Sequence, residues 1–327
     1  MRLAILGAGA WGSALAISLA AEHPVTLWSR RAEDCEALGR TRSSRYLPDN
    51  PLPASVRIDA SLPRAIDGAE ALVVATATSG LRETLRAIAA CGSPAAVIWA
   101  CKGFETASGL LPHEVAAQEL SRTSSVGALS GPSFALEVAR GLPTAVVLAS
   151  RDAAFAARTA AALNSPRLRI YSNGDLAGVE LGGALKNVVA IAAGISDGLA
   201  LGRNARAALV TRGLAEITRL GSAMGGRAET FDGLTGLGDL VLTCTGDLSR
   251  NRAVGVALAQ GRSLEQALGG LGHVAEGVHS ARAARDHARA LGIEMPITEA
   301  VCAVLFEGRP APDAVKQLLM RDPRSER

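Results

Sequence analysis

The segment Val179-Glu180-Leu181-Gly182-Gly183-Ala184-Leu185-Lys186-Asn187-Val188-Val189-Ala190-Ile191 sets one basic side chain inside an apolar helical run that continues to about Ala200. An ammonium in such a helix must reach water, a partner or a substrate, because burying it unpaired is expensive. Snorkelling along a surface-grazing helix would satisfy it without any function. Three local details argue for more. Gly182 and Gly183 each lower helix propensity by roughly 1 kcal/mol, which suits a place where something approaches the backbone closely. Glu180 and Asn187 add polar groups on neighbouring turns.

Other residues supply what such a lysine would act on. Gly7-Ala8-Gly9-Ala10-Trp11-Gly12 follows a short β run, Arg2 to Leu6, and opens an apolar helix ending near Glu22; Val25 to Trp28 is the next strand. That is the spacing of a dinucleotide-binding βαβ unit. Gly7, Gly9 and Gly12 permit the tight turn, the close approach to pyrophosphate and the packing of helix on strand. A glycine-rich turn in an unrelated α/β protein is the plainer alternative, but the flanking strands favour the first reading. Ser29-Arg30-Arg31 comes after the second strand, with Glu33 and Asp34 only later. Forked guanidinium donors match phosphate oxygens, so the expected cofactor is NADP, with NAD also open.

Further along, the strand Ala95 to Trp99 runs into Ala100-Cys101-Lys102-Gly103. Ligands of open α/β sheets sit at the carboxyl ends of strands, which places Lys102 at the nicotinamide end of the site. Ser130-Gly131-Pro132-Ser133-Phe134-Ala135 is a turn feeding a helix from Ser133 to Ala139. Asp239 closes the glycine-rich Thr235-Gly236-Leu237-Gly238-Asp239. Asp247-Leu248-Ser249-Arg250-Asn251-Arg252 opens a helix to Gln260 in which Ser249 is a natural N-cap. An arginine beside an open helix N-terminus is a phosphate site or an ordinary solvated cap, and the motif alone weighs both equally.

The elements that must position these residues alternate in the first half. Strands at Ala71 to Ala75, Ala95 to Trp99, Thr144 to Ala149 and Leu168 to Tyr171, with helices after them, predict a parallel, Rossmann-type doubly wound sheet. Asn173-Gly174-Asp175 is the last turn before strands stop, so the expected division is a dinucleotide-binding domain over 1–175 and an all-helical domain over 176–327. The helices expected there include Asn204 to Met224, Ser263 to Leu268 and His279 to Leu291, with Glu276 just before the last.

At 327 residues two domains are the default. A net charge of +3 with interspersed signs and 3% aromatics gives neither a basic stripe nor a stacking platform, so nucleic acid is not an expected partner. Five scattered cysteines outside any CxxC spacing suit free thiols in a reducing compartment. The five histidines form no ligand pattern, and no metal is expected. The apolar run from Leu3 to Ala21 imitates a secretory signal, yet its glycines suit a strand–turn–helix; Asp197 and Arg203 interrupt the helix after Lys186. The expectation is a cytoplasmic enzyme without membrane insertion.

With these blocks laid out, the chain resembles the bacterial-type NAD(P)-dependent sn-glycerol-3-phosphate dehydrogenase family from Gly7 to about Arg321. The likeness rests on Gly7 to Gly12, Arg45-Tyr46-Leu47-Pro48, Lys102-Gly103, Gly131 to Ala135, Glu180 to Asn187, Gly236 to Asp239, Ser249-Arg250-Asn251 and Ala275-Glu276-Gly277. The resemblance implies a Rossmann domain followed by an all-α domain. It implies Lys186 as the proton-transferring residue, with Lys102 and Asp239 beside it in catalysis. It implies Lys102, Gly131, Ser133, Lys186, Asp239, Ser249, Arg250 and Asn251 as the groups that hold glycerol 3-phosphate. Gly7, Gly9, Trp11, Gly12, Arg30, Arg31, Tyr46, Lys102, Ala135, Arg250, Val274 and Glu276 would meet the cofactor. The implied reaction is reversible hydride transfer between sn-glycerol 3-phosphate and dihydroxyacetone phosphate, supplying glycerol 3-phosphate for phospholipid synthesis. A homodimer built on the helical domain is an open option.

Departures are Ala77-Thr78, where the family usually carries Pro-Ser, and Arg203, expected in a loop where neutral or acidic residues are commoner. The nearest rival is a β-hydroxyacid dehydrogenase, which would want arginine or serine groups placed for a carboxylate. A rival of another class is a non-catalytic NADP-sensing regulator, which has no need of two lysines at the nicotinamide.

Overall fold

Leu3–Leu6 is a run of four apolar residues, the composition of a strand covered on both faces, and it forms β1 with every residue buried. The computed structural model describes residues 1–121, 125–269 and 275–320. Among them the strands are β1, β2 (Val25–Trp28), β3 (Arg57–Asp59), β4 (Ala71–Val74), β5 (Ala96–Trp99), β6 (Val126–Ser130), β7 (Thr144–Ala149) and β8 (Leu168–Asn173). They form one sheet in the order β3-β2-β1-β4-β5-β6-β7-β8. The connecting helices are α1 (Ala10–Leu19), α2 (Ala32–Thr41), α3 (Leu62–Ile66), α4 (Leu81–Ala90), α5 (Pro112–Glu119), α6 (Ala135–Ala139) and α7 (Ala153–Leu163). The order reverses between β1 and β4, which is where a doubly wound sheet opens a crevice for a ligand.

The sheet is not parallel throughout, as the sequence pattern suggests. β7 runs antiparallel to β6, with Ala128 opposite Ala149 and Ser130 opposite Val147, and β8 is parallel to β7. β3 and β6 carry no clear sequence signal. β3 is three residues, two of them charged, at a sheet edge. In β6, Gly127 weakens the pattern, but a Cβ there would stand 2.8 Å from the Ala149 carbonyl oxygen, so the close antiparallel neighbour requires glycine.

The chain divides into two compact units, Met1–Glu180 and Leu181–Arg327. The division falls inside α8 (Leu176–Gly198), which begins directly after the 173–175 turn. Then follow α9 (Gly202–Ala223), α10 (Ala228–Phe231), α11 (Asp239–Thr245), α12 (Arg250–Ala259), α13 (Leu264–Gly269), α14 (Glu276–Ala290), α15 (Pro296–Phe306) and α16 (Ala311–Leu319). A π-helical turn, Leu234–Gly238, leads into α11. α10 and α15 carry no expectation from the sequence, and α14 starts three residues before His279. Arg203 is therefore an exposed residue of the first turn of α9, not of a loop.

α8 is long and apolar enough to cross a membrane, yet 94% of its apolar window is buried inside the protein. Its later half packs Val188, Ile191 and Ile195 against Val254 and Leu258 of α12, Val278 of α14 and Val301 of α15. α8 and α12 cross backbone to backbone. A Cβ on Gly194 would stand 2.0 Å from the Arg252 carbonyl oxygen, and one on Gly255 2.0 Å from that of Ile191.

Glu216 of α9 fixes the start of α15. Its carboxylate accepts from the Ile297 N–H at 2.6 Å and from the N–H and hydroxyl of Thr298, each at 3.2 Å. Burial pushes this carboxyl from an ordinary 4.5 up to about 7, against the pull of those donors. The folded chain thus holds the proton more tightly than the unfolded chain. Stability is whole below about pH 4.5 and falls as the pH rises to about 7, by on the order of 3 kcal/mol. Thermal melts of Glu216→Gln should lose this component of the slope between pH 5 and 8; a slope equal to the parent's would assign the titration elsewhere.

Candidate active site

In the first unit, Gly7 leaves β1 at the switch point with φ +121°, a conformation that side chains avoid. A Cβ on it would lie 2.9 Å from the Ala75 carbonyl group, and one on Gly12 1.8 Å from the Gly7 carbonyl oxygen. These glycines bring the start of α1 against the ends of β1 and β4. Gly9 has open space at its Cβ position, and as the N-cap of α1 it offers no side chain to the helix's first N–H groups. Thr76 Oγ1 is buried without a hydrogen-bond partner among the described residues, and its backbone N–H lies beside Gly7. Free backbone donors, a bare helix start and an orphaned hydroxyl fit a dinucleotide pyrophosphate.

Trp11 and Ala135 pack in one apolar cluster with Ala14, Leu47 and Val138, so the glycine turn, the Arg45-Tyr46-Leu47 segment and α6 meet. Arg45 stacks over the Tyr46 ring at 4.7 Å and donates to its hydroxyl at 2.6 Å. Arg30 is exposed and pairs with Glu83 at 2.6 Å. Arg31 pairs with Asp34 at 2.8 Å, which raises the guanidinium pKa further. A ribose phosphate arriving here would have to compete with those carboxylates.

Beyond β5, Lys102 donates from Nζ to the Gly131 carbonyl oxygen at 2.9 Å, and Ser133 Oγ donates to the same oxygen at 2.9 Å. Gly131, at φ +139°, allows this because a Cβ would press on Val146 at 3.0 Å. Three residues singled out from the sequence thus converge on one carbonyl. Ser130 Oγ, next to them, is buried without a partner among the described residues.

In the second unit, Lys186 forms an ion pair with Asp239 Oδ1 and donates to Thr243 Oγ1 at 2.8 Å. Thr243 Oγ1–H in turn donates to the Asp239 backbone oxygen at 2.6 Å. Lys186 and Asp239 are 6% and 1% exposed, so the lysine does not snorkel. The close approach foreshadowed by Gly182 comes from the chain itself: a Cβ there would stand 2.5 Å from the Thr235 carbonyl oxygen. Docking of the π-helical turn on that bare face of α8 sets Asp239, the first residue of α11, against Lys186 one turn along.

A second chain of hydrogen bonds joins three helices. The Gly277 N–H donates to Asn251 Oδ1 at 3.0 Å, Asn251 Nδ2 donates to Asn187 Oδ1 at 2.9 Å, and Asn187 donates to Gly183 O at 3.3 Å. Ser249 caps α12 by accepting from the Arg252 N–H at 3.2 Å. Arg250 is the first residue of that helix and Glu276 the first of α14. Packing around Arg250 lowers its guanidinium pKa, and Glu276 works in the opposite direction. Arg252 pairs with Asp197 at 2.7 Å and Asp247 at 3.0 Å. Val274 and His273 lie outside the described residues.

Two family models cover these units. One, the N-terminus of NAD-dependent glycerol-3-phosphate dehydrogenase, matches residues 2–156, and the other, its C-terminus, residues 175–316. The chain belongs to the NAD-dependent glycerol-3-phosphate dehydrogenase family. It is similar to the glycerol-3-phosphate dehydrogenase (NAD(P)+) of Nitrosospira multiformis, 59% identical over 331 residues, 100% of this chain and 99% of that protein. The protein of that name from Thiobacillus denitrificans is 56% identical over 327 residues, 100% of each chain. The crystal structure of glycerol-3-phosphate dehydrogenase from Coxiella burnetii superposes with a TM-score of 0.93 at 41% identity, over 98% of this chain and 99% of that one.

Sequence reasoning on this family member missed Thr243, Thr76, Ser130 and the partners of Glu180. Thr243 lies one helical turn after Asp239, and that spacing is the one signal that could have found it. The Ala77-Thr78 departure forms an ordinary 3₁₀ turn, Thr78–Gly80, before α4. Because Gly182 meets backbone rather than a movable side chain, Gly182→Ala should cost about 1–3 kcal/mol. Urea unfolding would check this, and an unchanged midpoint would show that the turn can retreat.

Proposed function

We propose that Lys186 is the proton-transferring residue of an NAD(P)-dependent dehydrogenase that interconverts sn-glycerol 3-phosphate and dihydroxyacetone phosphate. The carrying observation is the buried Lys186–Asp239 ion pair, in a chain that matches this family over both of its parts. Gly7, Gly9 and Gly12 would hold a dinucleotide, whose nicotinamide would supply or take up the hydride. Lys186, paired with Asp239, gives its proton to the oxygen at C2 during reduction and recovers it during oxidation. Asp239 and Thr243 orient the ammonium, and Asp239 offsets its charge. Lys102 polarises the carbonyl oxygen as negative charge grows on it.

The phosphate is the part of the substrate that fixes which carbon reacts. Arg250 and the capped start of α12 clamp it, with Asn251 alongside. Gly131 and Ser133, already gathered with Lys102, hold the remaining hydroxyl and carbonyl groups. Gly7, Gly9, Trp11, Gly12, Tyr46, Ala135 and Glu276 line the cofactor, with Arg30 and Arg31 on the ribose phosphate of NADP. The dinucleotide-binding role belongs to the sheet-bearing part and phosphate recognition to the helical part. The enzyme works in the cytoplasm and supplies glycerol 3-phosphate for phospholipid synthesis.

Lys186→Ala should lower turnover of dihydroxyacetone phosphate about a hundred-fold or more and leave the Kd for NADPH nearly unchanged. Comparable rates for variant and parent would end the assignment. Arg30→Ala with Arg31→Ala should raise the KM for NADPH on the order of ten-fold more than that for NADH; equal rises would remove both arginines from the phosphate.

A further inference from the structure

Glu180 is a second polar residue in the apolar stretch of α8, and the proton-transfer reading leaves it without a task. It is 5% exposed, and each of its carboxylate oxygens is occupied. Trp99 Nε1–H donates to Oε1 at 2.7 Å, and His113 Nδ1 lies 2.6 Å from Oε2. The His113 backbone N–H, in the first turn of α5, also points at this carboxylate. Burial pushes the Glu180 carboxyl up, while His113 and then Trp99 pull it back towards the ionised form. Carboxylates this deep are retained only when paired and fully bonded.

What Glu180 grips is the last residue of β5. Trp99 is fully buried, and its indole N–H has this carboxylate as its acceptor. Only Ala100, Cys101 and Lys102 separate it from Gly103, which turns the chain at φ +149° into the buried Phe104. The Ala100 N–H is itself tied to the Val74 carbonyl oxygen at 2.9 Å. With the indole anchored on one side and the glycine bend on the other, the Lys102 stem has little freedom in where it starts.

We infer that Glu180 is a positioning residue for Lys102, acting through the Trp99 indole, with His113 holding the carboxylate in place. The inference rests on the dehydrogenase reading, in which Lys102 meets the substrate. Loss of the carboxylate lets the indole turn, shifts the root of Lys102, and weakens its aim at the developing negative charge. An ångström at such a place is worth orders of magnitude in rate.

The test is a double-mutant cycle on the full chain, following NADPH oxidation with dihydroxyacetone phosphate for the parent, Glu180→Leu, Lys102→Ala and the double variant. Glu180→Leu, which removes the acceptor of the indole N–H, should lower kcat/KM for the ketone phosphate ten-fold or more. In the Lys102→Ala background the same change should cost less than two-fold, because the group it positions is gone. Trp99→Phe, which keeps the ring and removes the donor, should repeat the pattern and stands in if Glu180→Leu does not fold. Equal factors in both backgrounds would mark Glu180 as a fold-stabilising residue only and overturn the inference. A parent without turnover would overturn the dehydrogenase reading and this inference together, whereas an active parent with additive effects overturns this inference alone.

Discussion

Lys186 and Asp239 meet where water has almost no access, and that pairing constrains everything around it. Neither charge could stay in place without the other, since removing one partner of a buried pair is typically worth 3–5 kcal/mol. The pair also demands that two stretches of chain, α8 and the entry to α11, lie at backbone contact. Gly182 permits this on one side. On the other, the π-helical turn over Leu234–Gly238 adds a residue's worth of slack just before Asp239. Such turns are uncommon and collect at functional places. Thr243 completes the arrangement by accepting a second hydrogen bond from the same ammonium.

The glycine turn of the sheet-bearing part is built on different contacts. There the first N–H groups of α1 meet no capping side chain, and backbone packs closely on backbone. Gly7 and Gly12 are needed because other atoms already fill the space a side chain would take. Exposed arginines at the end of β2 have carboxylate neighbours, and solvent screens these pairs.

How much of this was legible in the sequence depends on the range of the interaction. The glycine turn, β1, β2, α8 and the cap at Ser249 were legible because each is decided by residues close in sequence. Lys186 stood out because a lone charge in an apolar helix is a local contradiction. Its partner did not follow from that: Asp239 lies 53 residues away, and only a family resemblance singled it out. Glu180 showed as a polar group in the apolar helix, but Thr243, Trp99 and His113 gave no local sign, since ordinary threonine, tryptophan and histidine become significant through burial and long-range pairing. β3 and β6 were lost for an opposite reason, being short or glycine-bearing strands held in place by neighbours rather than by propensity. The reversal at β7 was hidden because an alternating strand pattern says nothing about direction.

That reversal has a geometric consequence. In a parallel crossover the chain must travel to the far edge of the sheet before the next strand can begin. Because β7 descends antiparallel from beside Ser130, residues 131–143 need make no such journey. They leave and re-enter on one rim, the rim at which β1, β4 and β5 also end. The excursion holding Gly131, Ser133 and α6 is thus a canopy rather than a connector. Its length is therefore not set by the distance between opposite ends of the sheet, as that of a crossover is.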